Sequence, residues 1–378
     1  MRPIAAWSLV VALTAATAAT LLGPWPMVLV LALVAAASVR GRAGFLLFAA
    51  LSVAINAALL AWLQPGADPR SLWGITWGLD GLMHGAVGGL RLVAVVGVNL
   101  AAVQRAPLAA WLEGLRLGRR PTAFLAAVLM ASRDVGRDLD RMRRAQVLDG
   151  AWPEGRIDRL RAVAALMPGM LVAAWRRART RSEALWLAGI RVGPDFAPIV
   201  AVTALALAGR LAFVAVPNVA LTYVVVFAGG VAFGARVGAW SGAWSMALSD
   251  LMLSGLAPAP FANVPAMALL GAAGGLFARL GGQDARTWAA VAGIVGTLLF
   301  SMLSDVFTWL LVAEFRTSLA LLWIRVAAGL VFNVVPAAAN GVLFALVVGP
   351  VARAFAALRA TQQDGAGHQG DERPRHGV

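Results

Sequence analysis

Lysine is absent from this 378-residue chain, so all 32 of its basic residues are arginines. A Walker A loop sets its lysine against the β- and γ-phosphates of a nucleotide, and a chain without lysine holds no such loop. Cysteine is absent too, which removes disulfides, zinc thiolates and cysteine-ligated iron–sulfur clusters. The three histidines, His84, His368 and His376, are too scattered to form a metal-binding cluster. Charge of either sign is scarce, at 13% of residues, where a soluble domain carries about 25%.

Apolar side chains take the place of charge. They make up 60% of the chain, with a mean hydropathy of +0.78. A soluble core cannot absorb that much, so lipid must cover a large share of it. The composition predicts an all-α polytopic membrane protein. The formal net charge is +14. In a soluble chain such an excess suggests nucleic acid; in a membrane chain it marks the cytoplasmic face through the positive-inside rule, and no nucleic-acid partner is expected. Residues 5–22 mimic a secretory signal, with Arg2 ahead of an Ala/Thr-rich run. More spans follow at once, so a retained first helix is expected.

A membrane span needs about 20 apolar residues. Spans are predicted at 5–22, 26–39, 43–63 and 82–103, joined by Gly23-Pro24-Trp25-Pro26, by Arg40-Gly41-Arg42 and by a loop from Gln64 to about Asp80. From Arg105 to Arg191 there are 17 arginines against eight acids, and no full-length span fits. Val135, Leu139 and Met142 stand at helical spacing among charges, which makes 133–148 an amphipathic helix. Asp140 and Arg144 are an i,i+4 pair in the favourable orientation. After Pro153 and Gly155 a second long helix is predicted from about Arg156 to Ala188. Its apolar middle is interrupted by Pro168-Gly169, and its end reads Arg176-Arg177-Ala178-Arg179-Thr180-Arg181. These are expected to be cytoplasmic helices lying against a membrane scaffold.

Six further spans are predicted near 197–216, 219–234, 237–256, 263–281, 287–313 and 318–348. Alternation from a cytoplasmic amino terminus puts Arg2, Arg40, Arg42, Arg105, Arg236, Arg279, Arg286, Arg353 and Arg359 inside, together with the carboxyl terminus. The loops at 216–221, 255–263 and 314–318 then face outward. The tail from Thr361 to Val378 has a disordered composition.

Residues 141–150, Arg-Met-Arg-Arg-Ala-Gln-Val-Leu-Asp-Gly, resemble the first coupling motif of the T component of energy-coupling-factor (ECF) transporters, which usually reads Ala-Gln-x-x-Arg-Gly. Gln146 and Gly150 keep that pattern. Residues 176–193 resemble the second, in which Arg-Arg-Ala is followed by an acid and, eight residues after it, by Ala-Arg-Gly; Glu183 and Arg191 keep that spacing. The resemblance implies that each motif docks into a groove of one of two separate ATPase subunits, through an arginine that meets an acid there. ATP and Mg would be used by those partners, and this chain would hold no cofactor and perform no catalysis. Two departures stand out. Asp149 occupies the place of the first motif's arginine, so that contact either passes to Arg143 or Arg144 or is weakened, and the second motif reads Ile190-Arg191-Val192. An alternative reading of the arginines is a basic face against anionic lipid.

The later half resembles an ECF S component, the six-span substrate-binding subunit of the same importers. Ala204-x-x-x-Ala208 matches the small-residue motif that S components offer to the T component, and small residues let helices approach closely in lipid. Val216-Pro217-Asn218-Val219, Gly229-Gly230 and Phe233-Gly234-Ala235-Arg236-Val237-Gly238 look like that family's outward loop, short second span and inner turn. The implied organisation is a T module at 1–193, an S module at 194–360 and a tail at 361–378, taking up a vitamin or similar micronutrient. Candidate ligand-binding residues are Asn218, Tyr223, Trp244, Asp250, Asn263, Asp305, Trp309, Arg325 and Asn333. A carboxylate inside a span is costly unless paired or hydrated, so Asp250 and Asp305 are either functional or satisfied by a partner such as Arg325. Tryptophans at that depth also serve as interface anchors, and Asn218 after a proline suits a turn. A secondary transporter driven through Asp250 and Asp305 is the rival reading. An intramembrane transferase is disfavoured, since the sequence holds no HExxH and no Asp/His cluster.

Overall fold

The computed structural model describes residues 25–38, 70–72, 75–105, 118–150, 155–212, 221–254, 262–281, 286–311 and 319–370, with single positions at 153 and between 46 and 61. The predicted span 5–22, much of 43–63, Asn218, and the side chains of Arg143 and Arg325 lie outside the described residues. The helices are α1 (Trp25–Ser38), α2 (Leu79–Arg105), α3 (Arg119–Leu148), α4 (Arg156–Leu187), α5 (Phe196–Ala212), α6 (Leu221–Phe233), α7 (Ala235–Ser254), α8 (Asn263–Arg279), α9 (Arg286–Leu311), α10 (Leu319–Phe332) and α11 (Val334–Gly370).

Among the described residues, three helices contain segments long and apolar enough to cross a membrane: Leu79–Val98 in α2, Arg286–Phe307 in α9 and Val334–Ala354 in α11. The chain is a helical membrane protein. The described parts of α1, α6 and α10 have 14, 13 and 14 residues, about 20 Å of helix each.

Three local features differ from expectation. The loop before α2 contains an antiparallel pair, β1 (Arg70–Leu72) and β2 (Ile75–Trp77), with Arg70 opposite Trp77; Ile75, Thr76 and Trp77 are β-branched or aromatic residues that suit a strand. The single span predicted at 318–348 is two helices, α10 and α11, which meet at Asn333. There the Asn333 amide group donates to the Gly329 carbonyl (2.7 Å), a local bond that competes with helix continuation. Pro336 stands in the first turn of α11, where its missing N–H costs nothing. The α11 backbone also runs on to Gly370, into the tail predicted to be disordered; Ala356-Ala357-Leu358-Arg359-Ala360 are strong helix formers.

The chain forms two compact units, each drawn from separate stretches. The first comprises Met1–Ala126, Arg210–Val219 and Ala247–Phe261; the second comprises Ala127–Gly209, Ala220–Met246 and Ala262–Val378. In the first, α1 packs on α2 through Val28 and Ala32, one turn apart, against Val93, Ala94, Val96 and Leu253.

In the second unit α9 packs along α11, α8 along α6, and α11 also reaches α6 and α4. Glycine sets the spacing at its centre. A Cβ on Gly230 or Gly238 would overlap the Gly271 carbonyl, one on Gly271 would overlap the Gly238 carbonyl, and one on Gly274 would overlap the Phe227 carbonyl. The backbones of α6, α7 and α8 therefore touch directly, as small residues allow where lipid gives helices no hydrophobic drive to associate. Phe227 fills the adjoining space, its ring 5.4 Å from Phe277 and 4.9 Å from Phe344. Gly234 alone joins α6 to α7 at φ +98°, a conformation that side chains disfavour.

Candidate functional site

Helices α3 and α4 together carry 14 arginines and five acids. On α4 the buried residues Met167, Met170, Leu171, Ala174 and Ala178 recur at helical spacing, forming the stripe that packs on α11. Beside that stripe, α4 meets α3 through ion pairs from Arg177 and Arg181. Asp134 accepts from Arg181 at 2.5 Å, and Asp138, one turn further along α3, accepts from Arg177. The partners run in reverse order, so the helices have opposite senses at this clamp and their carboxyl ends leave it in opposite directions. The hydrogen bond that Arg177 donates to Asp138 raises the Arg177 pKa above its ordinary value, a shift reinforced by the charges of Asp138 and Asp134 and opposed by burial. Arg137 and Arg141 stand at 3.8 and 3.9 Å from the same two carboxylates and are well exposed, so they add little.

The two free ends are built alike. Helix α3 stops at Gly150, φ +66°, whose N–H donates to the Val147 carbonyl (3.2 Å) after that of Asp149 has donated to Ala145 (2.9 Å). Helix α4 stops at Gly189, φ +77°, whose N–H donates to the Trp186 carbonyl, with Ile190 donating to Leu185, both at 2.9 Å. Each is a left-handed glycine cap. Immediately before each cap stand two exposed apolar side chains: Val147 (52%) and Leu148 (86%) on α3, Trp186 (65%) and Leu187 (80%) on α4. Asp140, Arg144, Val147 and Leu148 line one groove. Glu183 accepts from Arg179 at 3.2 Å, and Arg191 is exposed beyond the second cap. The expected Asp140–Arg144 ion pair does not form among the described residues; both line the groove instead. Gln146 has a buried amide oxygen without a hydrogen-bond partner.

No family model, curated protein or solved structure matches this chain. Its chemistry is therefore read from its own side chains.

A second polar constellation runs along α9. Thr297, Ser301, Asp305 and Trp309 recur every fourth residue, with Ser304 beside them, and so share one face. Asn340 of α11, fully buried, donates to the Thr297 hydroxyl (3.0 Å). Asn333 donates to the Ser301 hydroxyl (2.7 Å), and the Ser304 hydroxyl donates to Asn263 at the start of α8. The Asp305 carboxylate lies so close to Gly329 of α10 that a Cβ there would sit 2.6 Å from Oδ2. The Asn340 Oδ1 and the indole N–H of Trp309 are buried without a partner. Tyr223 closes one side, its ring 4.7 Å from Phe300. Asn263, Asp305, Trp309, Asn333 and Tyr223 thus meet along α9, while Arg325 stands one turn before Gly329 on α10.

Asp250 belongs elsewhere, in the first unit. It is 4% exposed and accepts from Arg210 at 2.6 Å, with a second bond from Arg210 to the Ser249 hydroxyl at 2.7 Å. Ala204 is fully buried on α5, Ala208 is half-buried, and Trp244 is half-buried on α7. Sequence reasoning missed Arg210, the Asp134–Arg181 and Asp138–Arg177 clamp, and the Thr297, Ser301, Ser304 and Asn340 hydrogen bonds. The four-residue recurrence on α9 was the readable signal for the last set.

Proposed function

We propose that this chain is the membrane subunit of an ATP-driven, ECF-type importer for a vitamin or similar micronutrient. It would sit in a bacterial or archaeal plasma membrane with both termini cytoplasmic. Residues 1–193 would act as the T module and 194–360 as the S module, with Ala204 and Ala208 between modules. The observation that carries this is the pair of glycine-capped helix ends, each displaying two large apolar side chains to solvent in an otherwise charged region. Exposed apolar surface rimmed by charge marks an interaction site, and here it falls within the coupling-motif resemblance. Two separate ATPase subunits would take one end each, through Arg143, Arg144, Gln146 and Gly150 at one and Glu183 and Arg191 at the other. Binding and hydrolysis of ATP would shift the chain between states only as far as the ATPases hold those states unequally. The α9 face with Asp305 and Trp309, together with Asn263 and Asn333 beside it, would contact substrate, in part through the Trp309 indole N–H and the Asn340 Oδ1.

Leu187→Glu tests the coupling role. It lies on an exposed helix end and should change stability by less than about 0.5 kcal/mol, yet it should abolish co-purification of ATP-hydrolysing subunits and stop uptake. Retained uptake without any ATPase would favour the rival, ion-driven transport through Asp250 and Asp305.

A further inference from the structure

We infer that the end of the second unit where α8 stops and α9 begins binds an anionic phospholipid, with Arg279 and Arg286 holding its phosphate. The inference is independent of the importer reading, because it uses neither the coupling helices nor the polar face of α9.

Charge on these two helices is confined. Arg279 is the last residue of α8 and its only charge; Arg286 is the first residue of α9, whose only other charge, Asp305, lies toward the far end. The apolar segment Arg286–Phe307 starts at that arginine, and 17% of it is buried, against 44% of the α11 segment. Most of α9 is therefore left for lipid to cover, and Arg286 stands where the hydrocarbon layer ends. Helix contacts fix which residues share that depth. A Cβ on Gly296 would meet Leu270, and α8 and α9 run in opposite senses across the turn at 280–285. Ten residues on from Leu270 is Leu280, and ten back from Gly296 is Arg286, so Arg279 and Arg286 stand at one depth. A Cβ on Gly293 would meet Phe344 of α11. Counting seven residues back along α9 and seven on along α11 gives Arg286 and Val351, so Arg353 lies about 3 Å further along the axis.

The side chains around the arginines belong against lipid. Helix α8 closes at Gly281, φ +73°, whose N–H donates to the Ala278 carbonyl (3.2 Å). This leaves Leu280 85% exposed at the depth of Arg286. Trp288 is 62% exposed in the first turn of α9, and Leu276, Val291 and Val295 are exposed further in. A tryptophan at the end of a span sits in the headgroup layer, and acyl chains would cover the leucines and valines beneath it. The arginines meet no acid. Among the described residues Arg279, Arg286 and Arg353 are exposed and form no ion pair, whereas Arg236 at the start of α7 has Asp195 at 3.4 Å.

A guanidinium offers a phosphate two parallel hydrogen bonds. A ligand with a phosphate in the headgroup layer and an apolar tail below it matches both halves of this surface; inorganic phosphate would match only the arginines. A choline or ethanolamine headgroup would bring its own cation against them, which favours an anionic lipid.

The full chain, purified in a non-ionic detergent, is titrated with phosphatidylglycerol or with phosphatidylcholine of the same acyl chains, and bound lipids are counted by native mass spectrometry. Phosphatidylglycerol should bind about tenfold or more tightly than phosphatidylcholine, since each arginine near an anionic surface contributes about fivefold. Excess inorganic phosphate should not displace it. Arg279→Gln with Arg286→Gln should abolish the preference. Arg137→Gln with Arg141→Gln removes the same net charge from exposed positions outside the spans and should keep it. Equal affinity for the two lipids, a preference that survives the first pair of substitutions, an equal loss from the second pair, or displacement by inorganic phosphate each overturns the inference. So does a bound polypeptide in place of lipid.

Discussion

The second compact unit holds helices together in two opposite ways. In α6, α7 and α8 the side chains are withdrawn, and glycines bring backbone against backbone at Gly230, Gly238, Gly271 and Gly274. Between α3 and α4 the side chains do all the reaching, from Asp134 and Asp138 to Arg181 and Arg177. The first contact has no tolerance, because any added atom meets a carbonyl. The second is long, charged and partly wet, so it can stretch and re-form and it responds to salt. A bundle that encloses a polar face needs the first kind of contact.

The largest effect should come from breaking the glycine contact. Gly271→Leu puts four carbons where the Gly238 carbonyl and a Val226 methyl already lie, and it should cost about 3 kcal/mol or more through overpacking. Thermal aggregation in detergent, followed by size-exclusion chromatography, would show it, and a native-like midpoint would count against direct backbone contact.

An ion pair with the burial of the glycine seam sharpens the contrast. Arg210→Ala removes an ion pair from a buried carboxylate, and it should destabilise by about 3 kcal/mol, with partial rescue by Asp250→Asn in the same chain. Equal stability of the single and double variants would show that water already reaches the carboxylate.

The smallest effect belongs to the clamp. Asp138→Ala and Asp134→Ala should each cost about 1–2 kcal/mol, shrinking as salt is raised because half-exposed pairs are screened. A salt-independent loss in the same denaturation assay would mean that the carboxylates act by packing and not by charge.

Much of the arm was legible early. The arginine excess and the apolar spacing at Val135 located the second half of α3, from 133 to 148, while its first half from Arg119 was not read as helix; Pro153 and Gly155 marked the break before α4. The clamp was not legible. Asp134, Asp138, Asp140, Arg141 and Arg144 look equally able to pair along one helix, and only the placement of α4 decides that the first two turn to Arg181 and Arg177. The groove at Asp140 and Arg144 follows from that choice. Asp250 was recognisable as costly, yet the sequence offered Arg325 as readily as Arg210.

The sequence by itself determined that this chain lives in a membrane and carries an arginine-rich region outside its spans, since composition and period depend only on the order of residues. Gly234 and the glycines around it were visible as unusual small residues, but not as three backbones in contact. Tertiary structure alone decided which charges meet, where the long span predicted at 318–348 breaks, and that two distant motifs end in the same cap. Such pairings join residues far apart in the chain, and a one-dimensional pattern holds no distance between them.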